Sequence, residues 1–497
     1  MKSKHIFIPF LASILALMLT LSACSNSAFL TVEVLVEPVY EDMGSFSEGL
    51  VFAMKDGKYG FIDETGKEAI PFIYDSVRST ENTFKEGFAA VLKNGKWGFI
   101  DKTGNEIVAC EYDSANDFYE GFAAVKKNDR WGFVDTTGNE IIPCEYDSAD
   151  DFCNDLAKVE KGGKYGFADK TGKEVAACIY DEVYDFGEDG IAAVKKDNKW
   201  GFIDKTGKEI IHFIYNHIRI DDITTTFNEG LSAVEKDGKW GFIDKAGNET
   251  VPFIYDMEGC FYEGCAWVEK NEKYGAVNKS GEEITPLIYD AAFTFREGFA
   301  AVEKNNKFGF IDQTGNETVA CEYDSADDFH DGLALVKKDG KCGFVDETGK
   351  EVIPCEYDYA SFFSYGFALV RRDNKVGLID KTGKEVIKCQ YDDLQRSENG
   401  LITIRENNKW GLIDKTGNEL IPCKYDRLEF FINGLALARQ NEKCGFIDES
   451  GKEVIPLIYD SAKVFNENGL SIVEKDGKWG VLRINNFQSI TAEDIQK

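Results

Sequence analysis

The chain has 497 residues, of which 43% are hydrophobic and 13% aromatic, and its formal net charge is −31 at pH 7. This apolar content can fill a core, which excludes a chain that is disordered throughout. The negative charge repels nucleic-acid phosphates and anionic headgroups, and lysines are interspersed with acidic residues rather than gathered into a basic patch. We therefore expect an ordered protein without a nucleic-acid partner.

The N-terminus has the pattern of an export signal. Lys2 and Lys4 precede the apolar run IFIPFLASILALMLTL, which suits a secretory signal and is short for a membrane span. The run leads into LSAC, residues 21–24, which resembles the lipobox of bacterial lipoproteins. That resemblance implies removal of a signal peptide, residues 1–23, and lipidation of Cys24, followed by a short linker up to residue 37. An ordinary cleavage site with a coincidental cysteine is the alternative.

The lipobox resemblance also implies an address. The protein would be anchored in the bacterial cell membrane or outer membrane through lipid on Cys24, with its body facing the periplasm or the exterior. No later stretch of the sequence is apolar enough to span a bilayer.

The rest of the chain repeats one unit. A motif glycine recurs thirteen times, preceded by an aromatic residue in ten units and by Cys or Val in three, and eight of the twelve spacings between these glycines are 34 residues. The glycines are Gly60, Gly98, Gly132, Gly166, Gly201, Gly241, Gly275, Gly309, Gly343, Gly377, Gly411, Gly445 and Gly480. A unit of this size cannot bury its own faces, so stacked copies are predicted to share a core.

Each unit is predicted to be a three-stranded meander. The dipeptide Asn94-Gly95 favours positive φ and marks a hairpin between the first two strands. The segment from Asp101 to Gly104 forms a second turn, and a third strand ends in the pair formed by Tyr112 and Asp113. No apolar periodicity long enough for a helix occurs, so the fold class is all-β.

Residues present in every unit are interpreted as structural, because a catalytic set should occur once. At the position of Gly98, a neighbouring backbone is expected to approach too closely for a Cβ. At the position of Tyr112, the ring is expected to be buried. The tryptophan position is predicted to pack in the core, since Cys and Val replace Trp in other units, and a glycan-stacking platform is the alternative. The repeated motif residues are Trp97, Gly98, Asp101, Gly104, Tyr112, Trp131, Gly132, Tyr146, Trp200, Gly201, Trp240, Gly241, Trp410, Gly411, Trp479 and Gly480.

These units resemble the WG repeat, also called the KWG repeat, of bacterial proteins, over residues 38–485. The resemblance implies a β-rich repeat domain, frequently on exported or surface proteins, without a shared catalytic activity. The motif departs at Cys342, Val376 and Cys444, where Trp is replaced, and at Asn278, where Asp is replaced. Residues 486–497 form a C-terminal tail.

The architecture is predicted to be an open, curved array or solenoid of stacked repeats, with one or two β-propellers as the alternative. Residues 37–49 look like the end of a unit without its hairpin, and residues 474–485 like a hairpin without its end. In a closed propeller an N-terminal strand can complete the last blade, but thirteen blades exceed the usual four to eight.

Seven cysteines stand two residues before the unit's tyrosine, where other units have Phe or Leu. They are interpreted as small apolar core groups, with disulfides between adjacent units left open because the chain is exported. They are Cys110, Cys144, Cys178, Cys321, Cys355, Cys389 and Cys423. Cys260 and Cys265 lie outside this register, and a local bridge between them is an alternative.

Two weaker candidate sites remain. His212 precedes the insertion at 213–227 and His217 lies within it, and with Asp221 and Asp222 nearby they are a candidate metal or acid-base cluster, although a surface loop with incidental histidines is the plainer interpretation. Stacked turns carrying Asp204 and Glu209 could line up calcium ligands, but their spacing matches no known calcium loop, and a turn-capping role explains the Asp.

The sequence therefore favours a protein that is not an enzyme and needs no cofactor or metal. We expect a lipid-anchored binding or scaffolding surface for an envelope protein or glycan, because stacked repeats form extended surfaces rather than one deep pocket. A structural spacer is the first alternative, and an enzyme with its site in the inserted loop or a propeller channel is the second. Function-bearing residues are expected where the units differ, in the loops after Tyr74 and Tyr215 and in the variable acidic loops before each Glu-Gly.

Overall fold

The structure, a computed structural model, describes residues 31–78, 83–220, 227–257, 259–397 and 400–485. The signal segment, Cys24, Asp221, Asp222 and the tail 486–497 lie outside these ranges. Within them the chain forms 51 β-strands in thirteen small sheets, here called blades. The described ranges contain no helix of the length and hydropathy needed to cross a membrane.

The strand bounds follow the repeat from blade to blade. After β1 (Thr31–Tyr40), blades 1 to 6 contain β2 (Asp42–Met43), β3 (Leu50–Lys55), β4 (Lys58–Asp63) and β5 (Glu68–Tyr74); β6 (Ser76–Val77), β7 (Phe88–Lys93), β8 (Lys96–Asp101) and β9 (Glu106–Tyr112); β10 (Ser114–Tyr119), β11 (Phe122–Lys127), β12 (Arg130–Asp135) and β13 (Glu140–Tyr146); β14 (Ser148–Ala149), β15 (Leu156–Lys161), β16 (Lys164–Asp169) and β17 (Glu174–Tyr180); β18 (Glu182–Val183), β19 (Ile191–Lys196), β20 (Lys199–Asp204) and β21 (Glu209–Tyr215); and β22 (His217–Ile218), β23 (Leu231–Lys236), β24 (Lys239–Asp244) and β25 (Glu249–Tyr255).

Blade 7 has three strands, and blades 8 to 12 again have four. They contain β26 (Phe261–Tyr262), β27 (Cys265–Lys270) and β28 (Lys273–Asn278); β29 (Ala291–Ala292), β30 (Phe299–Lys304), β31 (Lys307–Asp312) and β32 (Glu317–Tyr323); β33 (Ser325–His330), β34 (Leu333–Lys338), β35 (Lys341–Asp346) and β36 (Glu351–Tyr357); β37 (Tyr359–Ala360), β38 (Phe367–Arg372), β39 (Lys375–Asp380) and β40 (Glu385–Tyr391); β41 (Asp393–Arg396), β42 (Ile402–Glu406), β43 (Lys409–Ile413) and β44 (Glu419–Tyr425); and β45 (Arg427–Leu428), β46 (Leu435–Gln440), β47 (Lys443–Asp448) and β48 (Glu453–Tyr459). Blade 13 contains β49 (Ser461–Ala462), β50 (Leu470–Lys475), β51 (Lys478–Asn485) and β1.

The all-β prediction is confirmed, but the typical blade has four antiparallel strands rather than three. The additional strand comes first in the blade and often spans only two residues, as in Ser76–Val77, which is too short to show an alternating apolar pattern. The second and third strands are joined by a hairpin whose turn residues Asn94 and Gly95 have φ values of 54° and 77°. This is the turn that the Asn-Gly dipeptide predicts.

The chain ends close the array into a ring. β1 takes the fourth position of blade 13 and pairs antiparallel with β51, so that Thr31 lies opposite Asn485 and Val34 opposite Leu482. An apolar cluster that includes Tyr40, Met43, Val51, Leu470 and Val481 joins this last blade to blade 1. Thirteen such clusters accompany thirteen blades, so each blade packs on two neighbours.

The preferred prediction of an open array is therefore corrected, and the propeller alternative is confirmed as a single ring of thirteen blades. The physical reason is that the two ends complement each other. Without β1 the outer edge of β51 would be unpaired, and β1 supplies the fourth strand of that blade. The strand begins at Thr31, inside the segment that the sequence assigned to a linker.

The core lies between blades, not within them. The Phe118 ring of blade 3 meets the edge of the Phe99 ring of blade 2 at a centroid distance of 4.8 Å, and Phe152 meets Phe133 in the same way at 4.9 Å. Because this contact is repeated around the ring, the stability of each blade depends on its two neighbours.

The blades leave two kinds of exposed edge, which we call the first-strand edge and the fourth-strand edge. Side chains at the first-strand edge touch across neighbouring blades: Asn116 donates to Asp151 at 3.0 Å, and the His330 ring stacks on Phe362 at a centroid distance of 4.6 Å. Blades of a ring converge toward its axis. We therefore place the first-strand edge at the inner side of the ring and the fourth-strand edge at its circumference.

Candidate binding surface at the inner edge of the ring

The motif glycine lies where the third and fourth strands of a blade cross. A Cβ on Gly98 would be 2.5 Å from the carbonyl oxygen of Val108 and 2.7 Å from the backbone nitrogen of Cys110. Gly132, Gly411 and Gly480 are enclosed in the same way, Gly480 by residues of β1. This is the close backbone approach that the sequence predicted, and it leaves no room for a ligand at the glycine.

The motif aspartate holds its own turn together. Oδ1 of Asp101 accepts hydrogen bonds from the backbone N–H of Thr103 at 2.8 Å, from the Thr103 hydroxyl at 2.7 Å and from the backbone N–H of Asn105 at 2.9 Å. Its Oδ2 accepts from the Asn105 side chain at 2.9 Å, and Gly104 has a φ of 83°. Burial opposes ionisation of Asp101, but the bonds from Thr103 and Asn105 outweigh it and lower the pKa of this carboxyl to about 2.

These carboxylates are therefore occupied by their own turns. Oδ1 of Asp204 likewise accepts from the backbone N–H and hydroxyl of Thr206 and from the backbone N–H of Lys208. Oε1 of Glu209 lies 2.5 Å from Nδ1 of His212. Within the ranges that the structure describes, no group of three or more His, Cys, Asp or Glu side chains is arranged to hold a metal ion.

The motif tyrosine and the cysteine two residues before it form an interface between blades. Tyr112 and Tyr146 are buried, and the Tyr146 hydroxyl donates to Oε1 of Glu174 in the next blade at 3.0 Å. Cys144 packs against the cluster that contains Tyr112, and burial raises the pKa of its thiol to about 11. A half-buried thiol of this kind is a packing group and a poor nucleophile at neutral pH.

The cysteines of the described residues are all thiols: none of the twelve, Cys260 and Cys265 included, forms a disulfide. In other blades Phe replaces the cysteine two residues before the tyrosine, because the tyrosine of the neighbouring blade needs an apolar contact there. Tyr180 stacks on Phe213 at 6.1 Å, and Tyr40 stacks on Phe72 at 5.5 Å.

The tryptophans do not share one environment. Trp200 is buried, with Tyr184 stacked on it at 5.5 Å, as a packing role requires. The motif tryptophans Trp97, Trp131, Trp240, Trp410 and Trp479 are half-buried. Each of these five rings packs against an apolar cluster between blades while part of the ring remains accessible, so their burial is partial.

The histidine candidates are not brought together with other polar groups into a site. The His212 side chain is 86% exposed and contacts Glu209, whereas His217 is 68% exposed and lies 3.7 Å from Glu235. Asp221 and Asp222 lie outside the described residues.

The blades differ most at the first-strand edge, in the residues that follow the Tyr-Asp pair. In blades 3 to 5 this edge is acidic and carries Asn116, Asp117, Asp151 and Asp185. Arg78 of blade 2 reaches Asn116 at 3.3 Å, and Asn116 in turn donates to Asp151. Burial raises the pKa of Asp151 and of Asp185.

In blades 7, 8, 10 and 12 the same edge carries exposed aromatic side chains. Tyr262, Phe293, Phe362, Tyr365 and Phe430 are exposed by 41%, 43%, 53%, 73% and 45%, and we call this set the aromatic arc. Phe362 and Phe430 stand at the register of Asp117, Asp151, Asp185 and Asp328, five residues after the tyrosine. The fold accepts aspartate there, so packing does not require these rings.

Contacts along the arc hold its side chains in place. Phe293 packs on Phe308 at 6.0 Å, and the Arg396 guanidinium lies 5.9 Å from the Tyr365 ring centroid. Arg396 also donates to the carbonyl oxygen of Ser364 at 2.9 Å. An exposed aromatic surface that is already ordered loses little entropy on binding.

The arc ends in a cleft of about 550 Å³ between blades 11, 12 and 13, which we call the Trp410 cleft. Its lining residues are Gln395, Trp410, Asp426, Arg427, Leu428, Glu429, Phe430, Ile432 and Val464. A smaller cavity of about 260 Å³ lies at the other end of the arc, where Tyr262, Trp267 and Phe293 meet.

Sequence reasoning placed function in the variable loops before each Glu-Gly, and these loops form the first-strand edge. It did not single out the arc. The signal that could have found it is the change from Asp to Phe at one register position in blades 10 and 12. The loops after Tyr74 and Tyr215 lie partly outside the described residues, at 79–82 and 221–226.

Fold and surface together define a repeat-built β-propeller with an accessible inner edge. The family model of the WG containing repeat matches residues 33–59, 59–97, 97–131, 131–165, 165–200, 200–240, 240–274, 274–308, 308–342, 343–375, 377–410, 410–444 and 445–479. The chain belongs to this family.

A search of curated protein sequences finds no match to the chain. Among solved structures, a eukaryotic initiation factor is similar at 11% identity and a TM-score of 0.30, covering 60% of this chain and 93% of the other. PorZ, a surface component of the type-IX secretion system of Porphyromonas gingivalis, is similar at 9% identity and a TM-score of 0.20, covering 94% and 88%. At these TM-scores neither likeness bears on function.

Proposed function

We propose that the protein is a lipid-anchored, exported binding ring whose aromatic arc holds an envelope protein or glycan without catalysing a reaction. One observation carries the proposal: the exposed rings of Phe293, Phe362 and Phe430 occupy inner-edge positions that other blades fill with aspartate. Exposed aromatic rings lower solubility, and the fold does not require them at these positions. Exposed apolar surfaces of this kind usually mark interaction sites.

The extended shape of the aromatic arc supports a binding role rather than a catalytic one. The arc runs across blades 7 to 12, so an extended partner can contact several blades at once. Aromatic rings supply large contact areas at low side-chain entropy, which suits recognition. A purely structural spacer has no need for such an arc.

The binding proposal is tested with residues 25–497 immobilised and exposed to bacterial envelope extract and to purified peptidoglycan. The test variant is the triple substitution Phe293→Asp, Phe362→Asp and Phe430→Asp, which introduces a side chain that other blades carry at or beside the same register. We expect the wild type to retain material and the triple variant to lose most of it.

A matched control uses the opposite edge of the ring. Ile179, Ile214 and Ile254 are exposed at the fourth-strand edge, where blades 2 and 3 have Glu111 and Glu145. Replacing these three isoleucines by Glu adds the same charge as the arc variant and should leave retention unchanged. No retention by the wild type, or equal loss in both variants, contradicts the proposal and favours a spacer.

The anchor is tested separately in cells. Export and lipidation through Cys24 predict that the full chain partitions into detergent or membrane fractions and that mass spectrometry finds a lipid on an N-terminal Cys24, which Cys24→Ser removes. An unmodified Cys24 in the membrane-bound wild type would exclude this anchor without affecting the binding surface.

A further inference from the structure

The Trp410 cleft has a chemical character of its own. Its apolar lining consists of the half-buried ring of Trp410 together with Leu428, Phe430, Ile432 and Val464. The last three are exposed by 45%, 50% and 47%. A concave site of a few hundred Å³ with apolar walls and a few polar groups is the usual form of a small-ligand site.

The charges at the cleft are already neutralised within the protein. Arg427 lies 3.2 Å from Oε1 of Glu429, and Asp426 binds the Lys409 ammonium and accepts from the backbone N–H of Asn441 at 2.7 Å. The charges of Lys409, Asp426, Arg427 and Glu429 cancel, so the cleft gives a charged ligand no net attraction. The cleft therefore favours an uncharged ligand.

Polar groups nevertheless surround the apolar walls. The exposed Gln395 amide can both donate and accept, while Arg427 and Glu429 retain hydrogen-bonding capacity beyond their mutual contact. The Arg405 guanidinium lies 5.6 Å from the Trp410 ring centroid, which holds that ring in position.

A ligand that matches this surface has a flat apolar face and a hydrogen-bonding rim, which describes a sugar ring. An apolar peptide side chain would contact the apolar lining, but it would remove water from the Gln395 amide and from the Arg427–Glu429 pair without offering new hydrogen bonds. Leaving polar groups without partners in this way costs free energy. We propose that the Trp410 cleft is a subsite for an uncharged oligosaccharide. This inference rests on the proposed binding function and names the ligand class at one end of the arc.

The repeats supply substitutions that the fold has already accepted. Val376 stands at the register of Trp410, and Asp328 at the register of Phe430. The cleft variant is therefore Trp410→Val with Phe430→Asp. Trp97→Val is the control, since it makes the same change in blade 2, where the adjacent first strand carries Asn116 and Asp117.

Binding is measured by titration calorimetry with residues 25–497 and neutral tetrasaccharides of N-acetylglucosamine and of glucose. We expect at least one tetrasaccharide to bind the wild type and the Trp97→Val control alike, and to bind the cleft variant at least tenfold more weakly. Unfolding curves of all three proteins establish that the loss is not caused by misfolding.

Three results would overturn the inference: neither tetrasaccharide binds, the cleft variant binds as well as the wild type, or an apolar peptide binds at the cleft in place of sugar. If the wild type still retains envelope material through the arc in any of these cases, the proposed function stands and only the ligand class fails.

Discussion

The carboxylate of Asp113 in blade 2 accepts a hydrogen bond from the backbone N–H of Asn128 in blade 3 at 2.9 Å. The same carboxylate binds the ammonium of Lys96 in its own blade. Asp290 and Asp358 repeat this arrangement with Asn305 and Asp373, so the Tyr-Asp aspartate links the hairpins of successive blades. The bond explains why Asp follows Tyr in nearly every unit.

These links predict acid-sensitive stability. Hydrogen bonding to Lys96 and Asn128 lowers the pKa of Asp113, and the turn bonds lower that of Asp101 from 3.8 to about 2. A carboxyl whose pKa is lower in the folded chain stabilises the fold above its unfolded pKa, and this contribution disappears as the pH falls through the folded pKa. We expect Tm to be nearly constant above pH 5 and to fall between about pH 4 and pH 2.

Replacing Asp113, Asp290 and Asp358 by Asn should reduce this dependence, because Asn216 already fills the same place in blade 5 and accepts from Lys199 at 3.0 Å. The control replaces Asp197, Asp237 and Asp339 by Asn at the hairpin turn, where Asn94 stands in blade 2. Thermal unfolding from pH 7 to pH 2 checks both. An unchanged slope in the first variant would show that these carboxylates do not carry the acid sensitivity.

Ring closure can be trapped covalently. Thr31 and Asn485 lie opposite each other in the antiparallel pair of β1 and β51, and directly opposed residues have Cα atoms about 4.5–5.5 Å apart, within the span of a disulfide. Thr31→Cys with Asn485→Cys should therefore crosslink on oxidation, as detected by peptide mass spectrometry. Thr31→Cys with Asn418→Cys serves as the control. An open array would keep residues 31 and 485 at opposite ends and yield no crosslink.

The motif glycine should tolerate no side chain. Gly98→Ala places a Cβ 2.5 Å from the carbonyl oxygen of Val108, so the fourth strand must move, and we expect a loss of about 1–3 kcal/mol in the free energy of unfolding. Gly95→Asn is the comparison: nothing lies within 4 Å of its Cβ, and Asn198 occupies the same turn position with a φ of 61°. Denaturant unfolding of both variants provides the measurement, and equal stability would contradict the close approach.

Thiol reactivity should follow burial. Burial raises the pKa of Cys110 and of Cys355 to about 11; it also raises the pKa of Cys153, but that residue is exposed at the first-strand edge and accessible to reagent. Iodoacetamide at pH 8 should modify Cys153 well before the repeat-position cysteines in the folded protein, and all twelve described cysteines after unfolding. Cys153→Ser should remove the fast-reacting thiol. Rapid native labelling of Cys110 would refute its assignment as a packing group.

Part of the candidate surface was accessible from the sequence. Internal repetition separated Gly98, Asp101 and Tyr112, whose residue types recur in all or nearly all units for packing or turn formation, from the variable loops. It could not show that Phe293 and Phe430, in blades 8 and 12, belong to one inner edge. Their alignment arises from the stacking of blades, which local sequence patterns do not record.

The sequence alone determined the repeat, its period, the all-β class, the hairpin at Asn94-Gly95 and the Asp101 turn, because each depends on contacts within one unit. Only the tertiary structure decided between an open array and a ring, because closure depends on the pairing of Thr31 with Asn485 at the two ends of the described chain. It also decided where the aromatic side chains meet, since the Trp410 cleft is formed by three blades whose first strands converge toward the axis.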